Sequence, residues 1–231
     1  MEIEVTIGNN MNLPSVSGMH DLVFTTRAGE SMRYTLFIPS QIPRDGTQGL
    51  ALVLHYGGQP SGFYGRALLE QLFLPTYSML GAVMVAPVSM GGDWSSLANE
   101  QAVLELFAMI ETSYNTDFAR RLITGYSMGG VGTWHIISRH PEYFSAAIPI
   151  SGFRCIPDKI CDTPIFALHS RADSIFDFKQ LEDLIDSLVS NGCNAKVDFI
   201  DDIGHYNIPA FAPLLERTIP WLDRIWGVLD E

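Results

Sequence analysis

Short apolar runs separated by helix-like stretches are the feature that most constrains how this chain can fold. Six such runs follow one another, at residues 50–54, 82–86, 122–124, 146–150, 165–168 and 197–200. Near-continuous apolar strands of this length are typical of a parallel sheet that is buried on both faces. Because parallel neighbours need a crossover, usually a helix, the pattern predicts βαβ units rather than a meander of hairpins.

Two further strands are predicted ahead of this series, at residues 21–26 and 33–38. Apolar and polar side chains alternate in the second, which favours an antiparallel hairpin at the edge of the sheet. The prediction is an α/β fold, with a mostly parallel, eight-stranded, doubly wound sheet flanked by helices. In such sheets ligands bind beyond the carboxyl ends of the strands.

Three apolar stripes with helical spacing fill gaps between the strands. The first runs from Val103 to Ile110, with Ser96 or Asn99 as its N-cap. The second runs from Leu181 to Leu188 and ends near Asn191-Gly192. The third runs from Leu214 to Leu222, and Pro220 inside it predicts a kink or a split.

The composition bounds the organisation and the partners. The chain of 231 residues contains no repeat or linker, which predicts a single domain over residues 1–231. A net charge of −12 argues against nucleic acid and anionic membranes as partners. No run approaches the roughly 20 apolar residues of a membrane span. A small-molecule substrate is the expected partner, and a homo-oligomer stays open.

The amino terminus and the cysteines bear on the compartment. The first residues contain neither the basic region nor the apolar region of a signal peptide, so we expect a cytoplasmic protein. A secreted protein whose signal peptide had been removed would begin in the same way. Three cysteines, an odd number, argue against a disulfide framework. Cys155 and Cys161 could bridge a short loop, but reduced thiols are the favoured interpretation.

A nucleophile elbow is predicted at Gly125-Tyr126-Ser127-Met128-Gly129. An apolar strand precedes this segment and a helix-competent stretch follows it, which is the context that the G-x-S-x-G motif requires. The turn is tight, so small residues are needed two positions before and after the serine. Such a turn exposes the Ser127 hydroxyl and points the Met128 N–H at a developing oxyanion.

A serine nucleophile needs a histidine base, and four histidines follow Ser127 in the chain. His135 and His140 lie on or just beyond the helix that the elbow opens, which favours structural roles. His169 ends a strand and could line the site from a neighbouring position. His205 follows a strand and a glycine, where a loop could swing its imidazole toward Ser127, so it is the predicted base.

The acid of the triad is expected just beyond the strand at 165–168, between the serine and the histidine in chain order. Asp173 is the favoured candidate. Asp177, one turn further on, fits better as the cap of the next helix. Asp201 and Asp202 lie on the strand end that carries the histidine.

The remaining parts of the site are an oxyanion loop and a substrate pocket. The segment His55-Tyr56-Gly57-Gly58 follows the third strand, where its glycines let backbone N–H groups approach a ligand. Gly57 is the favoured second donor beside Met128, with Gly58 as the alternative. The loops are predicted to present pocket walls from Tyr56, Phe63, Trp94 and Phe153, although Trp94 fits a packing role equally well.

Taken together, these segments resemble α/β-hydrolases over about residues 33–226. The elbow, the His-Tyr-Gly-Gly loop, Asp117 to Leu122 and the run from His140 to Ala147 resemble a narrower group. That group holds carboxylesterases, polyhydroxybutyrate-depolymerase-like proteins and feruloyl-type esterases. Tyr56 stands where the family usually has glycine. The resemblance implies a serine carboxylesterase. Only residues 152–164 separate Ser151 from Ile165, which is too short for a helical cap, so we expect no large cap domain and activity on short-chain or small aromatic esters.

Other chemistry finds little support in the sequence. No His, Cys and Asp cluster has metal-ligand spacing, and neither a dinucleotide fingerprint nor a Walker loop is present. We therefore expect no metal and no cofactor. Two alternatives stay open: a peptidase or thioesterase with the same triad, and a non-catalytic binding protein with a hydrolase fold.

Overall fold

The computed structural model describes residues 13–41, 47–154 and 162–228. A single eight-stranded sheet runs through them, with the strand order β1-β2-β4-β3-β5-β6-β7-β8. The strands are β1 (Gly18–Thr25), β2 (Ser31–Ile38), β3 (Leu50–Leu54), β4 (Val83–Pro87), β5 (Arg121–Tyr126), β6 (Ala146–Ile150), β7 (Ile165–Ser170) and β8 (Ala195–Ile200).

The pairing of the strands confirms the predicted α/β fold. β1 and β2 form an antiparallel hairpin at one edge, and β2 also pairs with β4 in the antiparallel sense. All the other neighbouring strands are parallel, from β4 across to β8. The carboxyl ends of β3 to β8 therefore meet at one edge of the sheet, which is where ligands are expected in this topology.

Seven α-helices connect and flank the described strands: α1 (Tyr64–Leu68), α2 (Leu74–Tyr77), α3 (Leu97–Tyr114), α4 (Met128–Arg139), α5 (Phe178–Ser190), α6 (Ala212–Glu216) and α7 (Ile219–Ile225). A π-helical turn, Leu69–Phe73, joins α1 to α2. The third apolar stripe is split into α6 and α7. Pro220 lies in the first turn of α7, where its missing N–H costs no intrahelical bond.

Of the two cap candidates for α3, Ser96 is the N-cap, because its side chain accepts the N–H of Asn99. The Asn99 side chain instead holds the preceding loop. Its Nδ2 donates to the carbonyls of Gly91 and Asp93, and its Oδ1 accepts the N–H of Met90.

Helices on both faces of the sheet enclose separate apolar cores. α3, α4 and α5 pack on one face, with Phe107, Trp134 and Leu181 among the buried side chains. The segment from α1 to α2 packs on the other face together with α6 and α7, around Phe73 and Phe211. Because both faces are covered, β3 to β7 are buried along nearly their whole length, which explains their apolar sequences.

The cysteines differ from the sequence-based expectation. Cys193, in the turn between α5 and β8, is disulfide-bonded. The other two cysteines of the chain, Cys155 and Cys161, lie outside the described residues. The odd count argued against a disulfide framework, but it does not forbid a single bridge, and Cys193 takes part in one. No helix in the described ranges is long and apolar enough to cross a membrane.

Candidate active site

The turn between β5 and α4 holds Ser127 in a backbone conformation that L-residues rarely adopt. Its φ is 55° and its ψ is −113°. A strained non-glycine residue of this kind persists only where the surroundings fix it. The N–H of Ser127 donates to the carbonyl of Ile150 at 2.9 Å, and its carbonyl accepts the N–H of Val131 at 2.9 Å. These bonds fasten the turn to β6 and to α4.

Close backbone approaches explain why glycines surround Ser127. A Cβ at Gly129 would lie 2.0 Å from the carbonyl oxygen of Leu54, and one at Gly125 would lie 2.5 Å from the carbonyl oxygen of Gly129. A Cβ at Gly152 would lie 2.1 Å from the carbonyl oxygen of Ser127 itself. The elbow is therefore wedged between the carboxyl ends of β3 and β6, which supports the strained serine.

Ser127, His205 and Asp173 form one hydrogen-bonded chain. Ser127 Oγ lies 2.8 Å from His205 Nε2, and His205 Nδ1 lies 2.7 Å from Asp173 Oδ2. A carboxylate can only accept, so His205 carries its proton on Nδ1 and receives the serine hydroxyl at Nε2. The imidazole is 4% exposed, and the Asp173 side chain is fully buried. The structure thus brings together the three side chains that the sequence singled out.

The environment of Asp173 keeps its carboxylate charged. Burial by itself would raise the pKa of Asp173, but the hydrogen bond from His205 and the N–H groups of Phe176 and Ile175 outweigh it and hold the pKa below its usual value. Oδ1 accepts those two N–H groups, at 3.0 and 2.8 Å. One carboxylate oxygen is therefore committed to the loop and the other to the imidazole.

The rival carboxylates are placed elsewhere. Asp177 is the N-cap of α5, where its Oδ1 accepts the N–H of Lys179 at 3.0 Å. Asp201 faces Arg171, with 3.6 Å between its Oδ1 and the guanidinium Nε. Asp202 is exposed and has a φ of 60°. The carboxylate that accepts the Nδ1 proton of His205 is that of Asp173.

The other histidines downstream of Ser127 have structural contacts. His135 and His140 both bind the buried carboxylate of Glu100 through Nε2, at 2.7 and 2.9 Å. His169 is fully buried, and its Nε2 donates to the carbonyl of Phe176 at 3.0 Å. The hydrogen bond to the Ser127 hydroxyl is made by His205 and by none of these three.

Two neighbouring segments present backbone N–H groups beside Ser127, where the sequence predicts an oxyanion site. Met128 is the first residue of α4, where N–H groups lack intrahelical acceptors. Gly57 lies beside it, since a Cβ at Gly57 would be 3.8 Å from the Met128 Cβ. Within the described ranges, no acceptor takes the N–H of Met128, Gly57 or Gly58. Gly58 has a φ of 148°, and its α-carbon faces the Tyr64 hydroxyl.

His55 fixes the loop that carries Gly57. Its Nε2 accepts the N–H of Ser89 at 3.1 Å, and its Nδ1 donates to the carbonyl of Tyr56 at 2.7 Å. Burial lowers the pKa of His55 to about 4, so the ring is neutral near pH 7. The histidine of the His-Tyr-Gly-Gly segment therefore ties the oxyanion loop to the segment that follows β4.

The prediction that Trp94 forms a pocket wall was wrong. Its side chain is fully buried, its Nε1 donates to the carbonyl of His55 at 2.9 Å, and it packs against Gly132 of α4. It therefore supports the oxyanion loop from inside the core and does not line a cleft. Tyr56 is half-buried, with its ring 5.4 Å from that of Tyr64.

Three aromatic side chains lie on the loops that carry or adjoin Ser127, Asp173 and His205, and the sequence analysis missed two of them, Phe176 and Tyr206. Phe153 is half-buried and follows Gly152, which lies against Ser127; its ring is 5.7 Å from that of Phe176. The rings of Phe176 and Tyr206 lie 5.8 and 5.2 Å from the His205 imidazole. The Tyr206 side chain is 82% exposed. The sequence signal for Phe176 and Tyr206 is their position close to Asp173 and His205 along the chain.

A family match covers most of this site. The model of the dienelactone hydrolase family matches residues 89–212, more than half of the chain, and this range includes Ser127, Asp173 and His205. The chain belongs to the dienelactone hydrolase family. This family is part of the α/β-hydrolase superfamily, which confirms the resemblance noted in the sequence.

One curated relative of this family member is the bifunctional acetylxylan esterase/xylanase XynS20E of Neocallimastix patriciarum. The two are 28% identical over 92 residues, which make up 39% of this chain and 14% of the relative. The chain therefore matches only about a seventh of that protein's length.

Solved structures share the fold over most of the chain. A thermostable esterase has a TM-score of 0.75 at 25% identity, covering 89% of this chain and 62% of its own. A ferulic acid esterase has a TM-score of 0.69 at 17% identity, covering 90% and 98%. The S-formylglutathione hydrolase of Staphylococcus aureus has a TM-score of 0.67 at 16% identity, covering 89% and 99%. At the lower identities the likeness concerns the fold alone.

Proposed function

We propose that this dienelactone hydrolase family member is a serine carboxylesterase that cleaves short-chain or small aromatic esters through an acyl-enzyme. One observation carries the proposal: the unbroken chain of hydrogen bonds from Ser127 through His205 to Asp173. A serine hydroxyl is a weak nucleophile alone, and this chain is the arrangement that activates it.

In the proposed mechanism His205 removes the Ser127 proton through Nε2 while Oγ attacks the ester carbonyl. The Met128 N–H, with that of Gly57 or alternatively Gly58, stabilises the oxyanion of the tetrahedral intermediate. His205 then protonates the leaving alcohol, and an acyl group stays on Ser127. Water repeats the sequence with His205 as base and releases the acid. Asp173 holds the imidazole tautomer and stabilises the imidazolium.

Replacement of the nucleophile tests this proposal. Ser127→Ala should lower kcat for p-nitrophenyl acetate by about 10⁵- to 10⁶-fold, because the hydroxyl takes part in the chemistry. Unfolding by urea should show an intact fold. A tenth of the parent rate in the variant would rule out Ser127 as nucleophile. Turnover of an aminoacyl anilide but not of the ester would indicate a peptidase, and failure of both substrates in the parent would favour a binding protein.

Tyr206 is proposed to contact the leaving alcohol. His205 must reach the alcohol oxygen with Nε2, so side chains against the imidazole border the alcohol side of the cleft. The exposed Tyr206 ring stands edge-on to this imidazole, 5.2 Å away. Tyr206→Ala should lower kcat/KM for phenyl acetate several-fold more than for ethyl acetate, since an aromatic contact is worth about 0.5–1.5 kcal/mol. Equal losses on both esters would contradict this placement.

A further inference from the structure

His169 has no part in the proposed reaction, yet it lies beside the loop that carries the acid. It is the fifth residue of β7, and it is fully buried. The rings of Phe153 and Phe199 stand at 6.2 and 6.5 Å on the edges of its imidazole. Its place on β7, which pairs with β6 on one side and β8 on the other, gives it a fixed position relative to the sheet.

The protonation of His169 follows from its contacts. Nε2 faces the carbonyl oxygen of Phe176 at 3.0 Å, and a carbonyl can only accept, so Nε2 carries the proton. Nδ1 meets no polar partner in the part of the chain that the structure describes. Burial lowers the pKa of His169, which favours the neutral ring. The bond to Phe176 is thus the polar contact that the ring makes in its pocket.

Phe176 connects this bond to the triad. While its carbonyl accepts from His169, its N–H donates to Asp173 Oδ1 at 3.0 Å, and Asp173 Oδ2 accepts from His205 at 2.7 Å. Asp173 lies in a loop between β7 and α5, where its own N–H reaches only back to the carbonyl of Ser170, at 3.2 Å. The hydrogen bond from His169, on the rigid strand β7, to the carbonyl of Phe176 is the tether that fixes the far end of this loop.

We propose that His169 is a positioning residue that sets the carboxylate of Asp173 through the backbone of Phe176. The inference rests on the proposed function only for its kinetic consequence, since the tether itself is part of the fold. Without the tether, Phe176 and its N–H, one of the two that orient Oδ1 beside that of Ile175, drift, and the carboxylate holds the imidazole less firmly. A displacement on the order of 1 Å in a catalytic group can cost about 10²-fold in rate.

Two amide variants separate the hydrogen bond from the packing. In His169→Gln the amide nitrogen reaches the position of Nε2 and can donate to Phe176, whereas in His169→Asn it stops near the position of Nδ1. We expect His169→Asn to lower kcat for p-nitrophenyl acetate about 10- to 100-fold with KM within about threefold. His169→Gln should retain most of kcat. Phe199→Leu disturbs the same ring packing but leaves the hydrogen bond from His169 to Phe176 intact, so this variant should also retain most of kcat.

The pH profile provides a readout that a general loss of stability would not change. The acid limb of kcat/KM, which reports protonation of His205, should move to lower pH in His169→Asn, because a loosely held carboxylate stabilises the imidazolium less. It should stay in place in His169→Gln. Equal kinetics and equal profiles for the two amide variants, or an equal loss in Phe199→Leu, would overturn the proposal.

A proton spectrum keeps the test independent of turnover. The Nδ1 proton that His205 shares with Asp173 should give a far-downfield resonance in the parent, which persists in His169→Gln and shifts upfield or broadens in His169→Asn. If the parent hydrolyses no ester, the proposed function fails, while this resonance still decides the role of His169. An unchanged resonance in His169→Asn would refute the tether whatever the activity.

Discussion

At the scale of single residues, the choice between Asp173 and Asp177 depends on contacts that the sequence could only suggest. Both follow β7 within a few residues, and either could in principle reach a histidine. The structure places Asp173 against His205 and leaves Asp177 at the first turn of α5. The two carboxylates therefore form a matched pair in which one variant should affect catalysis and the other should not.

Asp173→Asn should lower kcat on the order of 10⁴-fold, whereas Asp177→Asn should leave it within about twofold. An asparagine at position 173 can still accept the N–H groups of Phe176 and Ile175, but its amide then donates to His205 Nδ1. That contact moves the imidazole proton to Nε2, where it faces the serine. At position 177 asparagine caps a helix as well as aspartate does. Steady-state kinetics on p-nitrophenyl acetate check this prediction. A larger loss of kcat in Asp177→Asn than in Asp173→Asn would contradict it.

The sequence identified residues whose chemistry is tied to a local pattern and missed those whose role depends on packing. Ser127 sits in an elbow motif, and His205 follows a strand and a glycine, so both could be located. Trp94 lies in a glycine-containing loop that is equally compatible with a cleft wall and with the core, and its burial beneath His55 depends on contacts from α4. Tyr206 carries no motif at all.

At the scale of elements, a buried carboxylate joins α3 to α4, the helix that begins at the elbow. Glu100 on α3 binds His135 and Arg139 on α4 and His140 just beyond it, and its side chain is 5% exposed. Burial by itself would raise the pKa of Glu100, but the bonds from Arg139, His140 and His135 prevail and lower it from 4.5 to about 2. The cluster therefore fixes α4 against its neighbour.

Glu100→Gln should lower the free energy of unfolding at pH 7 by about 3 kcal/mol, the equivalent of the pKa shift. The folded-state pKa is depressed, so the stabilisation is present above pH 4.5 and is lost as the pH falls toward 2. Urea unfolding at pH 7 and at pH 3 should show the difference between parent and variant shrinking. Glu70→Gln, in an exposed pair with Arg66, should cost less than about 1 kcal/mol and serves as control. Equal losses in both variants would contradict the role of the cluster.

The presence of the strands could be predicted from the sequence, because buried parallel strands are continuously apolar. The residues at which the strands begin and end, and the irregular turns, could not be predicted. β1 begins at Gly18 rather than at 21, since its pairing with β2 extends the strand through residues without an alternating pattern. The π-helical turn Leu69–Phe73 follows from packing against the sheet. The disulfide at Cys193 could not be inferred from an odd number of cysteines.

At the scale of the whole molecule, the length of the connection between β6 and β7 bears on the substrate. Large caps in this fold are often inserted at this point, and here residues 151–164 form the entire connection. A segment of this length is too short for a helical cap. The aromatic side chains near Ser127, Asp173 and His205 come from three separate loops and are Phe153, Phe176 and Tyr206.

We expect a site with so short a connection between β6 and β7 to favour short acyl chains. Each methylene that is fully buried contributes about 0.8 kcal/mol, and a chain that lies in an open cleft gains only a fraction of this. A small aromatic group can still bind by stacking while part of it remains in water. We therefore expect the highest kcat/KM on p-nitrophenyl esters with acyl chains of about two to six carbons, with no jump in rate at the critical micelle concentration. A rate that rises steadily through lauroyl and palmitoyl esters would instead require a long apolar channel at Ser127. The same series of esters, measured with Phe153→Ala, tests whether the Phe153 ring contacts the acyl group. This change should weaken binding of aromatic acyl groups and leave kcat/KM for acetate esters within about twofold, because an acetyl group is too short to extend beyond the immediate surroundings of the serine.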